Sequence, residues 1–381
     1  MDQTLGIYIH IPFCIRKCSY CGFVSQAVDE EMKGRYVDCL LKEIERRAPA
    51  LRKNPVDSIF FGGGTPSLLS VQQIEAVLAR LRLRFCLTED CEITMEANPG
   101  TVSPESLAGY RSAGVNRLSF GVQSMNDGLL AGLGRIHRAQ DAVQSVCWAR
   151  AAGFDNLNLD LMFGIPAQDM RLWTHTLQEA AALSPEHISF YSLQVEEGTA
   201  LYNDIKYGRM QPLTDEEDRQ MYHEGLSWLK SRGYEQYEIS NGAKPGRACR
   251  HNLKYWTMQE YAGFGLAAHS FLSGVRSSNT ESLFDYIKAL QAGRLPTVWS
   301  HANTQEEMME EFVFTGLRQI CGISLAEFRQ RFGVDFHQVY QAQEEELQAF
   351  CRDGFVCESG GRMYLTERGM DISNRIMALF V

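Results

Sequence analysis

The sequence predicts an α/β chain, a partial TIM-like (β/α)6 barrel followed by a small C-terminal α+β, winged-helix-like unit. Three observations carry this. Short apolar runs alternate with amphipathic stretches through the first half, each run ends in glycine, proline or a polar residue, and the pattern changes after about Glu196. Parallel neighbours need crossover helices, so strand-then-helix repetition implies a parallel sheet. Polar residues gathered where such strands end mark the functional rim of a barrel or an open sheet. Six units do not fill an eight-stranded barrel, which leaves an open side suited to a large substrate.

The expected strands are LGIYIHI, VDSIFFGGG, EITMEANP, RLSFGVQS, NLNLDLMFGIP and HISFYSLQV, and they read as apolar on both faces, as buried parallel strands do. Between them lie helical patterns such as EEMKGRYVDCLLKEIERR, SVQQIEAVLARLRL and AQDAVQSVCWARAAG. Beyond Glu196 a polar helix, TDEEDRQMYHEGLSWLKSRG, leads to a short strand, YEQYEIS, and then to the polar loop NGAKPGRACRHNLKYW. The last unit holds three helical patterns and then FVCES and RMYLT around a Gly-Gly turn, the order of a winged helix. Its helices are acidic, which favours a cap or partner-docking role over DNA binding. The expected divisions are residues 1–235 for the barrel, 236–304 for a connecting segment and 305–381 for the C-terminal unit. GFGLAA, from Gly263 to Ala268, formally fits a dinucleotide fingerprint, but no strand–helix unit surrounds it, so it reads as a turn.

The net charge is −10, from 37 basic and 47 acidic residues, which argues against a protein built to grip nucleic acid. No segment approaches eighteen consecutive apolar residues, so an integral membrane protein is not expected. The N-terminus lacks a basic region and a cleavage site, and eleven cysteines without a leader point to a reducing cytoplasm. There, clustered cysteines more often bind metal or do redox chemistry than form disulfides.

One cluster stands out. CIRKCSYCGF places Cys14, Cys18 and Cys21 directly behind the first strand. Three thiols are one short of a closed tetrahedral site. A structural zinc site would show a second pair, which is absent, and His10 is constrained inside the strand. Iron–sulfur clusters are normally held by four thiolates, so three leave a metal position open. GGGTPS, from Gly62 to Ser67, cannot be a phosphate loop because no Lys-Ser/Thr follows, but its glycines let backbone approach a ligand closely.

Cysteines spaced C-x-x-x-C-x-x-C, with Tyr20 before the last, resemble the radical S-adenosylmethionine (SAM) superfamily. YIHIPFC, GGGTPS, EANPG, GVQS and NLDLMFGIP are similar to its coproporphyrinogen III oxidase-like branch over essentially the whole chain. The resemblance implies a [4Fe–4S] cluster on Cys14, Cys18 and Cys21, with SAM supplying the missing ligand. It assigns Tyr8, Gly63, Gly64, Thr65, Glu96, Gln123, Arg135 and Asp160 to one or two SAM molecules. HNLKYW, from His251 to Trp256, resembles the motif of the HemW-type haem chaperone group. Imidazole is a standard axial ligand and aromatics suit a porphyrin face, so His251 is expected to ligate haem from an accessible loop.

Two activities follow from the resemblance. One is a haem chaperone that passes haem to recipient haemoproteins, including those at the cytoplasmic face of the membrane. The other is the oxygen-independent coproporphyrinogen III oxidase, which decarboxylates propionates to vinyl groups. Oxidases of this branch carry a fourth cysteine two places after the third, where this chain has Phe23. They also have a longer segment ahead of the motif and lack HNxxYW. All three differences favour the chaperone.

Overall fold

Residues 4–51 and 53–381 are described in the structure, a computed structural model of the chain. The barrel is expected from residue 1, and residues 1–3 lie outside the described residues. Six parallel strands neighbour one another in chain order: β1 (Leu5–Ile11), β2 (Val56–Gly63), β3 (Leu87–Ala97), β4 (Arg117–Gln123), β5 (Leu157–Phe163) and β6 (His187–Ser192). Helices α1 (Glu30–Leu51), α2 (Val71–Arg84), α3 (Pro104–Ala113), α4 (Asp127–Gly132), α5 (Ala139–Ala151) and α6 (Met170–Ala182) make the crossovers. Their starts are chemically marked. Ser70 and Ser103 form capping boxes with Gln73 and Ser106, and Asp169 caps α6.

The expectation that these strands are apolar on both faces is corrected. Ile7, Ile9 and Ile11, Ile59 and Phe61, and Leu118, Phe120 and Val122 are buried in the core. The alternate positions are polar: Tyr8 and His10, Glu96, Arg117 and Ser119, Asn158 and Asp160, Ser189. Cross-strand register places Glu96 beside Ser119, and Asp160 beside Gly121 and Ser189. A lumen that keeps a cavity needs polar walls, so only the outer face is a packed core.

Segment 236–304 contributes strands to both edges of this sheet. After α7 (Ala200–Lys206) and α8 (Asp215–Ser231), β7 (Glu235–Glu238) and β8 (Asn241–Ala243) extend it antiparallel beyond β6. Helix α9 (Arg250–Trp256) then crosses beneath, and β9 (Tyr261–Phe264) pairs parallel with β1. Gly263 and Phe264, expected in a turn, therefore lie in a strand. Strands β10 (His269–Leu272), β11 (Val275–Asn279) and β12 (Thr297–Ala302) continue antiparallel, with α10 (Leu283–Gln291) between the last two. The twelve strands run β12-β11-β10-β9-β1-β2-β3-β4-β5-β6-β8-β7, and the barrel stays open.

Helix α9 closes the amino-terminal mouth. Lys254 Nζ reaches Asp57 at 2.8 Å and Thr4 Oγ1 at 2.9 Å, and the Arg250 amide donates to Glu92 at 3.1 Å. Thr4 and Asp57 stand at the starts of β1 and β2, and Glu92 lies beside Ser58 in the register of β2 and β3. The C-terminal unit comprises α11 (Gln305–Gly316), β13 (Ile323–Ser324), α12 (Leu325–Phe332), α13 (Phe336–Val339), α14 (Glu344–Arg352), β14 (Val356–Ser359) and β15 (Arg362–Leu365). Its hairpin turns at Gly360 and Gly361, both at positive φ (58° and 73°), as a tight two-residue turn requires. Hydrogen bonds from Gln319 to Trp256 O and from Ile320 N to Tyr237 O tie it to α9 and β7. Among the described residues, no helix is long and apolar enough to cross a membrane.

Candidate functional site

The three cysteines lie on a loop that leaves the carboxyl end of β1. Its neck is closed by Cys14 N to Gln26 O at 3.1 Å and Gln26 N to Pro12 O at 2.9 Å. Its far side is held by Ser19, whose amide and hydroxyl both reach Leu133 O, and by Arg16 to Gly134 O at 2.7 Å. All three thiols are free and half-buried. Burial raises the Cys21 thiol above its ordinary pKa, and the neighbouring Cys18 and Cys14 sulfurs push it the same way.

Two of these sulfurs are joined by a chain of side chains. Thr65 Oγ1 donates to Cys14 Sγ at 3.6 Å and accepts from Asn98 Nδ2 at 2.8 Å. Asn98 Oδ1 accepts in turn from Arg135. Arg135 also reaches Gly121 O at 2.6 Å and lies 3.6 Å from Cys18 Sγ through Nη1. Asn98 escaped the sequence reading. Its only signal is its place two residues beyond Glu96 in EANPG, and nothing local says that it bridges Thr65 to Arg135.

The donor chemistry fits an iron–sulfur cluster. Among the described residues, no three His, Cys, Asp or Glu side chains are grouped about a point where one metal ion could sit. Three neighbouring thiols that do not converge on a single ion suit a polynuclear cluster, in which each thiolate holds a different metal atom. His10 does not complete the set. Its Nδ1 lies 3.0 Å from Tyr8 OH and its Nε2 lies 3.2 Å from Val24 O.

The glycine loop is bonded to its own chain as well. Gly64 N donates to Ile11 O at 2.8 Å and Thr65 N to Phe13 O at 2.7 Å, which bonds the loop to the end of β1. A Cβ on Gly64 would stand 2.6 Å from Phe13 O, and one on Gly63, at φ 108°, would clash with the His10 ring. These glycines let the loop pack against its own chain. Gly63 N donates to Glu96 Oε2 at 3.1 Å.

Glu96 and Asp160 face the lumen. Burial raises the Glu96 carboxyl to about 8, with repulsion from Asp160 added, while the Gly63 amide and Arg117 oppose. Burial also raises Asp160, against hydrogen bonds from Ser189, Asn158 and Ser119. Tyr8, raised by burial and by Glu96, closes the same wall. Together with Arg117, His251 and Tyr255 they line a cavity of about 230 Å³. Gln123, at a strained φ of 65°, accepts from Tyr191 OH at 2.9 Å. Tyr8, Gly63, Gly64, Thr65, Glu96, Gln123, Arg135 and Asp160 thus gather around the lumen and its carboxyl-terminal mouth.

His251 does not stand on an accessible loop, and that expectation is corrected. It belongs to α9 and is 1% exposed. Its Nδ1 lies 3.0 Å from Ser58 Oγ, and its Nε2 lies 2.9 Å from Tyr255 OH. Its ring stacks on Phe60, with centroids 5.4 Å apart. Burial pushes its pKa down to about 3, so it is neutral, but iron could reach either nitrogen only by breaking one of these bonds.

The chain is similar to known proteins along its length. The model of the radical SAM superfamily matches residues 8–180, and that of the HemN C-terminal domain matches residues 303–372. The heme chaperone HemW of Bacillus subtilis is 36% identical, covering 98% of each chain. That of Escherichia coli is 35% identical, over 99% of this chain and 98% of its own. A bovine protein, "radical S-adenosyl methionine domain-containing protein 1, mitochondrial", is 33% identical over 98% of this chain and 88% of its own. The solved coproporphyrinogen III oxidase of E. coli shares the fold at a TM-score of 0.88 and 24% identity, over 100% of this chain and 90% of that one.

Proposed function

The chain belongs to the radical SAM superfamily and, within it, to the heme chaperone HemW family, and from that premise we propose that it binds a [4Fe–4S] cluster, SAM and haem and delivers haem to recipient haemoproteins. Cys14, Cys18 and Cys21 are the proposed cluster ligands. When bound, a cluster with one open iron supplies a site for the amino and carboxyl groups of SAM and a route for one electron. Tyr8, Gly63, Gly64, Thr65, Glu96, Gln123, Arg135 and Asp160 are the proposed SAM residues.

The observation that carries this reading is the side-chain chain from Cys14 through Thr65, Asn98 and Arg135 to Cys18. It fixes two thiols against the strand ends where the lumen carboxyls begin. Thr65 and Arg135 orient the cluster loop. Glu96 and Asp160, protonated more readily than ordinary carboxyls, ionise when a cationic ligand enters. SAM is such a ligand, carrying a sulfonium. The haem part of the reading rests on the family and not on His251, whose nitrogens are engaged. We place the protein in the cytoplasm, handing haem to recipients that include those at the cytoplasmic face of the membrane.

The test is anaerobic reconstitution followed by two assays. Haem titration, read by the Soret band, is expected to saturate. Incubation with coproporphyrinogen III, reductant and SAM is expected to leave its propionates intact. Vinyl product would overturn the chaperone in favour of the oxidase.

A further inference from the structure

A cavity of about 870 Å³ lies at the carboxyl-terminal rim beside the lumen, against about 390 Å³ for the cavity beside the cluster loop. It opens between the ends of β5 and β6, helix α8 and residues 370–375 of the C-terminal unit. Binding pockets for organic ligands span about 300–1,000 Å³, so its volume suits a large ligand. One wall is backed by nearly fully buried aromatics, with Tyr222 packed 6.1 Å from Phe163 and 5.8 Å from Phe190, centroid to centroid.

Three guanidiniums reach the cavity. Arg219 is consumed by Asp218 and Asp371. Arg318 is paired through one Nη with the fully buried Glu238 at 3.4 Å, but its Nε is buried without a hydrogen-bond partner. Arg375 is 4.0 Å from Glu346, with a side chain 73% exposed. A buried guanidinium N–H without an acceptor is costly, and a carboxylate is its natural partner. The unpartnered Nε of Arg318 and the exposed guanidinium of Arg375, in a cavity of this volume, describe a receptor for a large dicarboxylate.

We propose that this cavity binds the porphyrin of haem, with its propionates on Arg318 and Arg375. The proposal rests on the haem-chaperone reading and deepens it. It places the cargo between the barrel and the C-terminal unit, apart from the cluster. Arg318 also stacks over Trp256, at 4.6 Å, so the last residue of HNLKYW supports one wall of the site.

The test uses the full-length protein with haem and with free-base protoporphyrin IX, which needs no axial ligand, followed by absorbance and fluorescence. Val195, 40% exposed at the cavity, accepts Val195→Trp without a core change. Arg375→Glu is a second surface variant. Each is expected to weaken both ligands about ten-fold or more, while His251→Ala leaves free-base binding unchanged. Wild-type affinity in both Val195→Trp and Arg375→Glu overturns this site and leaves the chaperone reading standing. Failure of the wild type to bind either ligand overturns the chaperone reading and the site with it.

Discussion

The two mouths of the barrel treat polar groups in opposite ways. At the amino-terminal floor most are paired with protein, Trp256 Nε1 on α9 being left without a partner. Lys254 meets Asp57 and Thr4, His251 meets Ser58 and Tyr255, and Arg250 meets Asp90 and Glu92. In the lumen and at the carboxyl rim several are left over. The buried Nε atoms of Arg117 and Arg135 and the Thr94 hydroxyl lack partners, Glu96 is held away from its ordinary protonation, and Gln123 sits at positive φ. Both regions are rich in charge, so charge alone does not mark a site. What marks it is polarity that the fold leaves unspent, since buried polar groups are otherwise hydrogen-bonded.

The largest effect expected from breaking this contrast is at the rim. Gly64→Val drives a side chain into Phe13 O and Ile11 O, so the cluster loop cannot seat. Iron content after anaerobic reconstitution should fall severalfold or more. Full iron with SAM binding alone abolished would instead show that the glycine clears space for the ligand.

At the floor, Lys254→Met leaves Asp57 without its ion-pair partner. The Lys254 side chain is 2% exposed and that of Asp57 22%, so the cost is about 3 kcal/mol at most. Chemical denaturation should show that loss while iron content stays at the wild-type level. Iron loss in the stably folded variant would erase the distinction between the two mouths.

Glu96 sharpens the contrast through pH. Its folded pKa, about 8, lies above the ordinary 4.5, so between these values the folded chain holds a proton that the unfolded chain has released. Stability is greatest below the lower value and is lost as pH rises through the window, by an amount on the order of a few kcal/mol. Glu96→Gln should flatten that decline in thermal melts of the ligand-free protein between pH 5 and 8. An unchanged slope would remove Glu96 as its source.

The smallest effect is at Thr65. Thr65→Val deletes the hydroxyl facing Cys14 Sγ, for about 1 kcal/mol of stability. It should also make the reduction potential of the reconstituted cluster more negative, because a hydrogen bond to sulfur is lost. An unshifted potential would mean that the hydroxyl does not touch the ligating sulfur.

The six barrel strands and the cysteine loop were legible because their signals are local: apolar runs, serine and aspartate caps, and thiols within eight residues. The polar lumen was missed, because the length of the apolar runs masked the alternation of Tyr8 with Ile7 and Ile9 and of Asp160 with Leu159 and Leu161. Strands β8 and β9 were missed too, since NGA and YAGF have three or four residues and owe their state to partners β6 and β1 far away in sequence. His251 shows the same limit. A histidine before Asn and two aromatics looks like a ligand, and only the fold brings Ser58 to its other side.

The central claim is that ligand chemistry belongs to the carboxyl rim and that α9 is structural floor. Anaerobic iron and labile sulfide per chain, measured side by side for Cys18→Ala and His251→Ala, tests it most directly. The account predicts near-complete loss of both in Cys18→Ala and wild-type content in His251→Ala. Full iron in Cys18→Ala, or loss confined to His251→Ala, would contradict it.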